Sequence, residues 1–277
     1  MNPVISIIIP CYNQGQYLEE ALKSALGFID KYYCEIIIVN DGSTDSETLA
    51  ILNELSENGC SIINQVNKGL GAARNAGIKA AKGKYILPLD SDNKIRPEYI
   101  SEGIKLLDEN PELDVVYGNA EYFGEKAGVW ESGEFNLQRL MIENYIDACA
   151  VYRKSTWEKL GGYDEKMPVM GYEDWDFWLR IAFQNGKFKY VNKVLFDYRY
   201  SSKSMIRSIE QRKMALIDEY MTKKHSQYLN RSYLNKLMLF KANRDKRLAI
   251  SFFVRACFPS FSNLLRKAGV MKNKDII

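Results

Sequence analysis

The chain has 277 residues, 46% hydrophobic, 26% charged and 12% aromatic, a balance that excludes a disordered tail, a collagen-like repeat or a small disulfide scaffold. Its five cysteines (Cys11, Cys34, Cys60, Cys149, Cys257) are scattered without a CxxC pair or zinc spacing, so a reducing, cytoplasmic setting is the simpler reading. The net charge of +3 hides an asymmetry: residues 205–277 hold 16 Lys plus Arg against 5 Asp plus Glu, a balance of +11 that leaves −8 for the first 204 residues.

Ile5–Pro10 is a short, almost wholly apolar run, as a buried parallel strand requires. It starts too early for a signal peptide to precede it. Leu18, Ala21, Leu22, Ala25 and Leu26 then recur at helical spacing. Glu35–Val39 predicts a second strand, followed by a helix through Leu49, Leu52 and Leu55. Ser61–Val66 predicts a third strand and Ala72–Ala81 a helix of small residues. Tyr85–Leu89 predicts a fourth strand, whose Pro88 fits a segment that has finished pairing. Strands alternating with helices imply right-handed crossovers and a parallel α/β sheet, whose ligands lie beyond the carboxyl ends of the strands.

Past residue 96 the rhythm changes. Pro97 opens a helix, Val115–Tyr117 reads as a strand, and residues 121–135 are glycine-rich and aromatic without helical spacing. Residues 154–160 predict a short helix stopped by Gly161-Gly162. Asp174–Phe183 predicts another helix, Val194–Tyr200 another strand, and from Met205 the pattern is helical with a break at Pro259. No repeat or low-complexity linker interrupts the chain, and no apolar run approaches the roughly 18 residues of a membrane span. The parts are expected to pack as one unit.

Four clusters follow strand ends. Asn40-Asp41-Gly42-Ser43-Thr44-Asp45 offers a tight turn, a Ser or Thr helix cap and a hydrogen-bond acceptor in Asp41; alone it equally suits an ordinary turn. Asn67 to Gly77 is glycine-rich, but a dinucleotide fingerprint belongs after the first strand, which argues against a Rossmann dehydrogenase. Arg74 and Asn75, one turn into the helix, could reach a phosphate or base. Asp90-Ser91-Asp92 places two carboxylates at i and i+2, oxygen ligands of the kind Mg²⁺ or Mn²⁺ takes, or simply an acidic turn. Glu173, Asp174 and Asp176 crowd one helix start: they cap the dipole and pair Asp176 with Arg180, or supply a general base.

In this order the clusters resemble the family 2 glycosyltransferases, inverting enzymes of the GT-A fold. The resemblance spans about residues 3–205, through Ser6 to Asn13, Val39 to Asp45, Asn67 to Gly77, Asp90 to Asp92, Gly161 to Asp164, and Glu173-Asp174. It implies a mostly parallel nucleotide-binding sheet flanked by helices. Residues 1–204 would be the catalytic domain, with a nucleotide-sugar half (1–100) and an acceptor half (101–204); residues 205–277 would be a basic helical extension. It also implies roles. Tyr12 would stack on the base and Asp41 accept a base N–H. Pro10, Asn13, Asn67, Gly69, Arg74 and Ser91 would complete the donor site. Asp90 would face the ribose or metal, and Asp92 would ligate Mn²⁺ or Mg²⁺. Asp174, with Glu173 as second choice, would take the acceptor hydroxyl's proton. Trp175 and Trp178 line the acceptor pocket or belong to the core.

The pattern departs from the family at Tyr198 to Ser204, where many relatives carry a histidine and this chain has none. Lys203 or Arg199 could offset diphosphate charge instead. The single histidine, His225, reads as a helix-surface residue. The expected partners are a nucleotide-sugar donor, with UDP first, and a saccharide or lipid-linked saccharide acceptor, for surface polysaccharide synthesis. Basic and apolar residues of 244–277 suit an anionic membrane surface on the inner face of the cell membrane, or a lid or homo-oligomer contact. Nucleic acid is not expected, since no aromatic platform accompanies the charge. Two rival readings are a sugar-nucleotide pyrophosphorylase, which would need a glycine-rich loop after the first strand, and a catalytically silent sugar-nucleotide-binding scaffold.

Overall fold

The computed structural model describes residues 3–26, 34–202, 204 and 211–228. The chain divides into two units, one of residues 1–166 and 170–207, the other of 167–169 and 208–277.

Among the described residues the first unit is built on a nine-stranded sheet, whose strands, numbered in chain order, lie as β3-β2-β1-β4-β8-β6-β9-β5, with β7 beside β6. Strands β1 (Ile5–Cys11), β2 (Cys34–Asp41), β3 (Ser61–Gln65) and β4 (Tyr85–Pro88) are mutually parallel. Every residue of β1 is buried, as its uninterrupted apolar run demands. Alternation along the strand sends its side chains to both faces. Ile5, Ile7 and Ile9 share a core with α1 (Gly15–Leu26) and α4 (Pro97–Glu109), through Leu18, Ala21, Tyr99 and Ile100. Ile8 faces α3 (Leu70–Ala80), where a Cβ on Gly77 would stand 2.5 Å from Ile8 Cγ2 and 3.0 Å from Val39 Cγ2. A side chain at Gly77 would therefore push the helix off the sheet. Helix α2 (Ser46–Glu57) is capped by Asp45, whose carboxylate accepts from Thr48 N at 2.7 Å; the cap is this aspartate, one residue beyond the expected Ser or Thr. Pro88 still pairs, opposite Ile8, and the ladder continues through Leu89 N to Ile8 O at 2.9 Å. The expected end of pairing before it is corrected: lacking an N–H, the proline leaves its neighbour to carry the bond.

The far half of the sheet is mixed. Strand β6 (Leu113–Gly124) runs parallel to β9 (Lys187–Tyr200), antiparallel to β7 (Gly128–Trp130) and antiparallel to β8 (Val151–Arg153). Strand β8 also pairs antiparallel with β4, and β5 (Lys94–Ile95) pairs antiparallel with β9. The predicted strand at Val115–Tyr117 therefore extends into the segment read as irregular. Helices α5 (Leu137–Leu140), α6 (Lys154–Leu160) and α7 (Glu173–Phe183) complete this half, and α6 stops at Gly161 in the left-handed conformation (φ 74°).

In the second unit α8 spans Gln211–Lys224. Ile217, Met221 and His225 are buried, and their spacing of four puts them on one stripe. That corrects the surface placement expected of His225. Residues 244–277 and Lys203, for which membrane and diphosphate roles were expected, lie outside the described residues. Among the described residues, no helix is long and apolar enough to cross a membrane.

Candidate active site

Chain order changes direction between β1 and β4: β2 and β3 are laid down on one side of β1, then the chain crosses to the other side. A crevice opens at such a switch point, beyond the strands' carboxyl ends. Here β1 leads into Tyr12 and Asn13, and β4 leads into Asp90-Ser91-Asp92.

Pro10 is buried in β1 opposite Val39. Tyr12 is 46% exposed, and a large ring left open at a strand end is a ready stacking surface. Asn13 adopts a left-handed backbone (φ 51°) and stitches the first two loops together. Its Oδ1 accepts from Thr44 N at 2.7 Å and Asp45 N at 3.2 Å, and its own N–H donates to Ser43 Oγ at 3.0 Å.

Asp41 is buried and organises the loop after β3. It accepts from Gln65 Nε2 (2.7 Å) and from the backbone N–H groups of Lys68 and Gly69 (2.9 Å each). Gly69 has φ 91°, and a Cβ there would meet Met170 Sδ at 2.5 Å. The glycine thus permits the turn that brings its N–H to Asp41. Asn67 lies exposed beside it. Ser91 Oγ donates to Gln14 Oε1 at 2.5 Å and ties the β4 turn to the β1 loop.

Arg74 is 1% exposed. One guanidinium nitrogen donates to Glu173 and another to Asp90 Oδ1 at 2.6 Å, while its Nε is buried with no hydrogen-bond partner among the described residues. Burial lowers the proton affinity of such a group, but Asp90 and Glu173 outweigh it and hold Arg74 charged. The side chain joins the aspartate turn to the start of α7. Its neighbour Asn75 is engaged elsewhere: it bonds Trp157 Nε1, both backbone groups of Tyr163, and Glu165. It holds the loop around Gly161 to Asp164, so the phosphate or base contact suggested for Asn75 is corrected.

Glu173 uses Oε1 for Arg74 and Oε2 for Gly171 N at 2.8 Å, a chain-bracing role. Asp174 is 7% exposed. Asn144 Nδ2 lies 3.0 Å from each of its oxygens, and Trp175 N donates to Oδ1 at 2.8 Å. Burial, then the charge of Glu173, pushes the Asp174 carboxyl up to about 8, against the pull of Arg74 and Asn144. Asp176 pairs with Arg180 at 2.7 Å, the ion pair that the spacing allowed. Trp175 and Trp178 are buried, donating to the carbonyls of Leu140 and Ile146.

Asp147, which no motif marked, belongs to the same acidic centre. Burial, then Asp90, pushes its carboxyl up to about 7, and Asp92 adds to the effect. Asp90 and Asp92 are oxygen ligands of the kind that a hard divalent cation takes. Among the described residues, no group of three His, Cys, Asp or Glu side chains is arranged to hold one. Arg199 is committed to the same turn: its Nε donates to Asp92 O at 3.1 Å and its Nη2 to Glu20 at 2.9 Å.

Residues 6–177 match the profile described as Glycosyl transferase family 2. The chain is 33% identical over 233 residues to an uncharacterized glycosyltransferase of Rickettsia prowazekii, covering 79% of this chain and 70% of that one. It is 28% identical over 253 residues to chondroitin synthase of Pasteurella multocida and 30% over 203 residues to hyaluronan synthase of the same species. These matches take in 88% and 70% of this chain but only about a quarter (24%) and a fifth (20%) of those synthases. Among solved structures, S. aureus TarS 1-349 in complex with UDP-GlcNAc superposes with a TM-score of 0.63 at 22% identity, over 92% of this chain and 81% of that one. The mannosyltransferase PcManGT of Pyrobaculum calidifontis, in complex with GDP-Man and Mn2+, gives 0.55 at 14%, over 94% and 88%. The fold is thus of the GT-A type, and with more than half its length matching the profile the chain belongs to glycosyl transferase family 2.

Proposed function

We propose that this enzyme transfers a sugar, with inversion, from a nucleoside diphosphate donor to a saccharide hydroxyl in polysaccharide synthesis. The observation that carries the reading is Asp174. It is a buried carboxyl at the sheet's carboxyl edge whose proton affinity is raised toward neutral pH, as an effective general base requires.

Asp174 accepts the proton of the acceptor hydroxyl as that oxygen attacks the anomeric carbon. The bond from this carbon to the phosphate oxygen breaks, and the nucleoside diphosphate leaves with the electron pair. Attack opposite the leaving group inverts the centre, so no covalent enzyme intermediate is needed. Tyr12 and Asp41 would hold the base, with Pro10, Asn13, Asn67, Gly69 and Ser91 around the nucleotide. Arg74 would fix the geometry by clamping Asp90 to the helix that carries Asp174. Asp92, with Asp90, would hold Mn²⁺ or Mg²⁺, which supplies charge neutralisation at the departing diphosphate.

UDP is the first choice of nucleotide because TarS is crystallised with UDP and UDP-GlcNAc. The relatives named as chondroitin and hyaluronan synthases support a saccharide acceptor. A lipid-linked acceptor and inner-face membrane attachment would suit the basic balance of residues 205–277. A thermal-shift panel tests the site: UDP, GDP, dTDP and CDP, each with Mn²⁺, Mg²⁺ or EDTA. Stabilisation by one nucleotide only with metal supports both donor and ion roles. Stabilisation equally strong in EDTA contradicts the ion role, and stabilisation by GDP but not UDP overturns the choice of base.

A further inference from the structure

Asn144 lies in the irregular segment between α5 and β8, thirty residues from Asp174 in sequence. Its Nδ2 stands 3.0 Å from both carboxylate oxygens of Asp174. Oδ1 of the same amide is buried and has no hydrogen-bond partner among the described residues. With the carboxylate ionised, the rotated amide would turn Oδ1 against it, two acceptors face to face, so in that state, the one a base works from, the amine faces inward. A buried acceptor ordinarily finds a donor. Here the acceptor belongs to the side chain that braces Asp174, so a hydroxyl brought to that carboxylate is a donor that would satisfy it.

We propose that Asn144 is a positioning residue of the transfer reaction: its amine holds the Asp174 carboxylate in one orientation, and its Oδ1 accepts a hydrogen bond from a hydroxyl of the bound saccharide. The inference rests on the reading of Asp174 as the general base. Other groups act on that carboxylate as well: Glu173 beside it and Asp147 oppose its ionisation, Arg74 from α3 favours it, and Tyr163 lies within the same field. All four stay in place when Asn144 alone is changed, so the amide's share can be isolated.

The test is a double-mutant cycle of Asn144→Leu and Asp174→Asn, followed as unfolding temperature between pH 6 and 10, with hydrolysis of UDP-GlcNAc as the activity readout. Hydrogen bonds to a carboxylate are lost only where it is ionised. The Asn144→Leu penalty is therefore expected to grow with pH in the wild-type background and to be flat with pH in Asp174→Asn. Turnover of UDP-GlcNAc should fall roughly 10- to 100-fold, as for a misplaced reacting group, with UDP affinity unchanged and the alkaline-rising limb moved to higher pH. An equal, pH-independent penalty in both backgrounds, with an unmoved limb, would overturn the proposal. If Asn144→Leu does not fold, Asn144→Ser, too short to reach the carboxylate, takes its place. Hydrolysis retained by Asp174→Asn would instead sink the base assignment, whatever the cycle shows.

Discussion

Replacing Arg74 with methionine keeps most of the side-chain volume and removes the cation. Asp90 and Glu173, which the guanidinium bridges, are then left facing a neutral thioether. Breaking a buried ion pair by removing one partner costs about 3–5 kcal/mol. The Glu173 side chain is 3% exposed and should contribute in full, whereas that of Asp90 is 30% exposed and is partly relieved by water. In a unit of this size each kcal/mol moves the midpoint by about 2–4 °C, so Arg74→Met should unfold roughly 6–20 °C below wild type. Arg74→Lys keeps the charge, but its ammonium lacks the planar fork that serves two carboxylates together. It should recover stability only in part. Both changes weaken the stabilisation that Arg74 gives the Asp174 carboxylate, so any remaining activity should rise at higher pH than in wild type. Scanning calorimetry and a pH–rate profile give both readouts. An Arg74→Met midpoint within a degree or two of wild type, with an unmoved profile, would mean that the guanidinium neither stabilises the fold nor acts on Asp174.

Other outcomes follow from single contacts. Gly77→Ala puts a methyl group against Ile8 and Val39 and should cost about 1–3 kcal/mol by overpacking, read as a lower denaturation midpoint at unchanged m-value. Asp41→Asn turns an amine toward backbone N–H groups that the carboxylate accepts. It should cost about 1–3 kcal/mol and weaken nucleotide binding in calorimetric titration, more than Asn67→Ala does. Burial pushes the thiols of Cys11 up to about 11 and Cys34 up to about 12. Cys60, half-buried, should therefore be carboxymethylated before either in native protein at pH 8, as followed by mass spectrometry.

The first half of the sheet was legible because a strand buried on both faces leaves an unbroken apolar run, as Ile5–Pro10 and Glu35–Val39 do. Strands β5 and β8 were not, since two or three residues give no measurable period. The start of β9, Lys187 to Lys193, is lysine-rich and partly exposed, and β6 continues through Glu121 to Phe123 as a half-exposed strand. Neither carries the signature of a buried strand. Within the site, the strand-end clusters stood out in sequence by their order, but their partners did not. The contact of Arg74 with Glu173 crosses 99 residues and that of Asn144 with Asp174 crosses 30, and nothing local marks either. Asp147 became visible only once folding set it beside Asp90 and Asp92.

The proposed mechanism turns on Asp174 taking the acceptor's proton. Raising a carboxyl from an ordinary value near 4 to about 8 means that the protonated form prevails at neutral pH and the working carboxylate appears only as pH rises. The same sign applies to folding: ionising Asp174 destabilises the native state progressively between these values. The most direct measurement is kcat/KM for UDP-GlcNAc hydrolysis against pH, in wild type and Asp174→Asn, with UDP affinity measured in parallel. Wild type is expected to show a limb rising through about pH 8, and Asp174→Asn to bind UDP normally but turn over at least about 100-fold more slowly, as for the loss of a general base. Near-normal turnover by Asp174→Asn, or a wild-type profile flat across that limb, would contradict it.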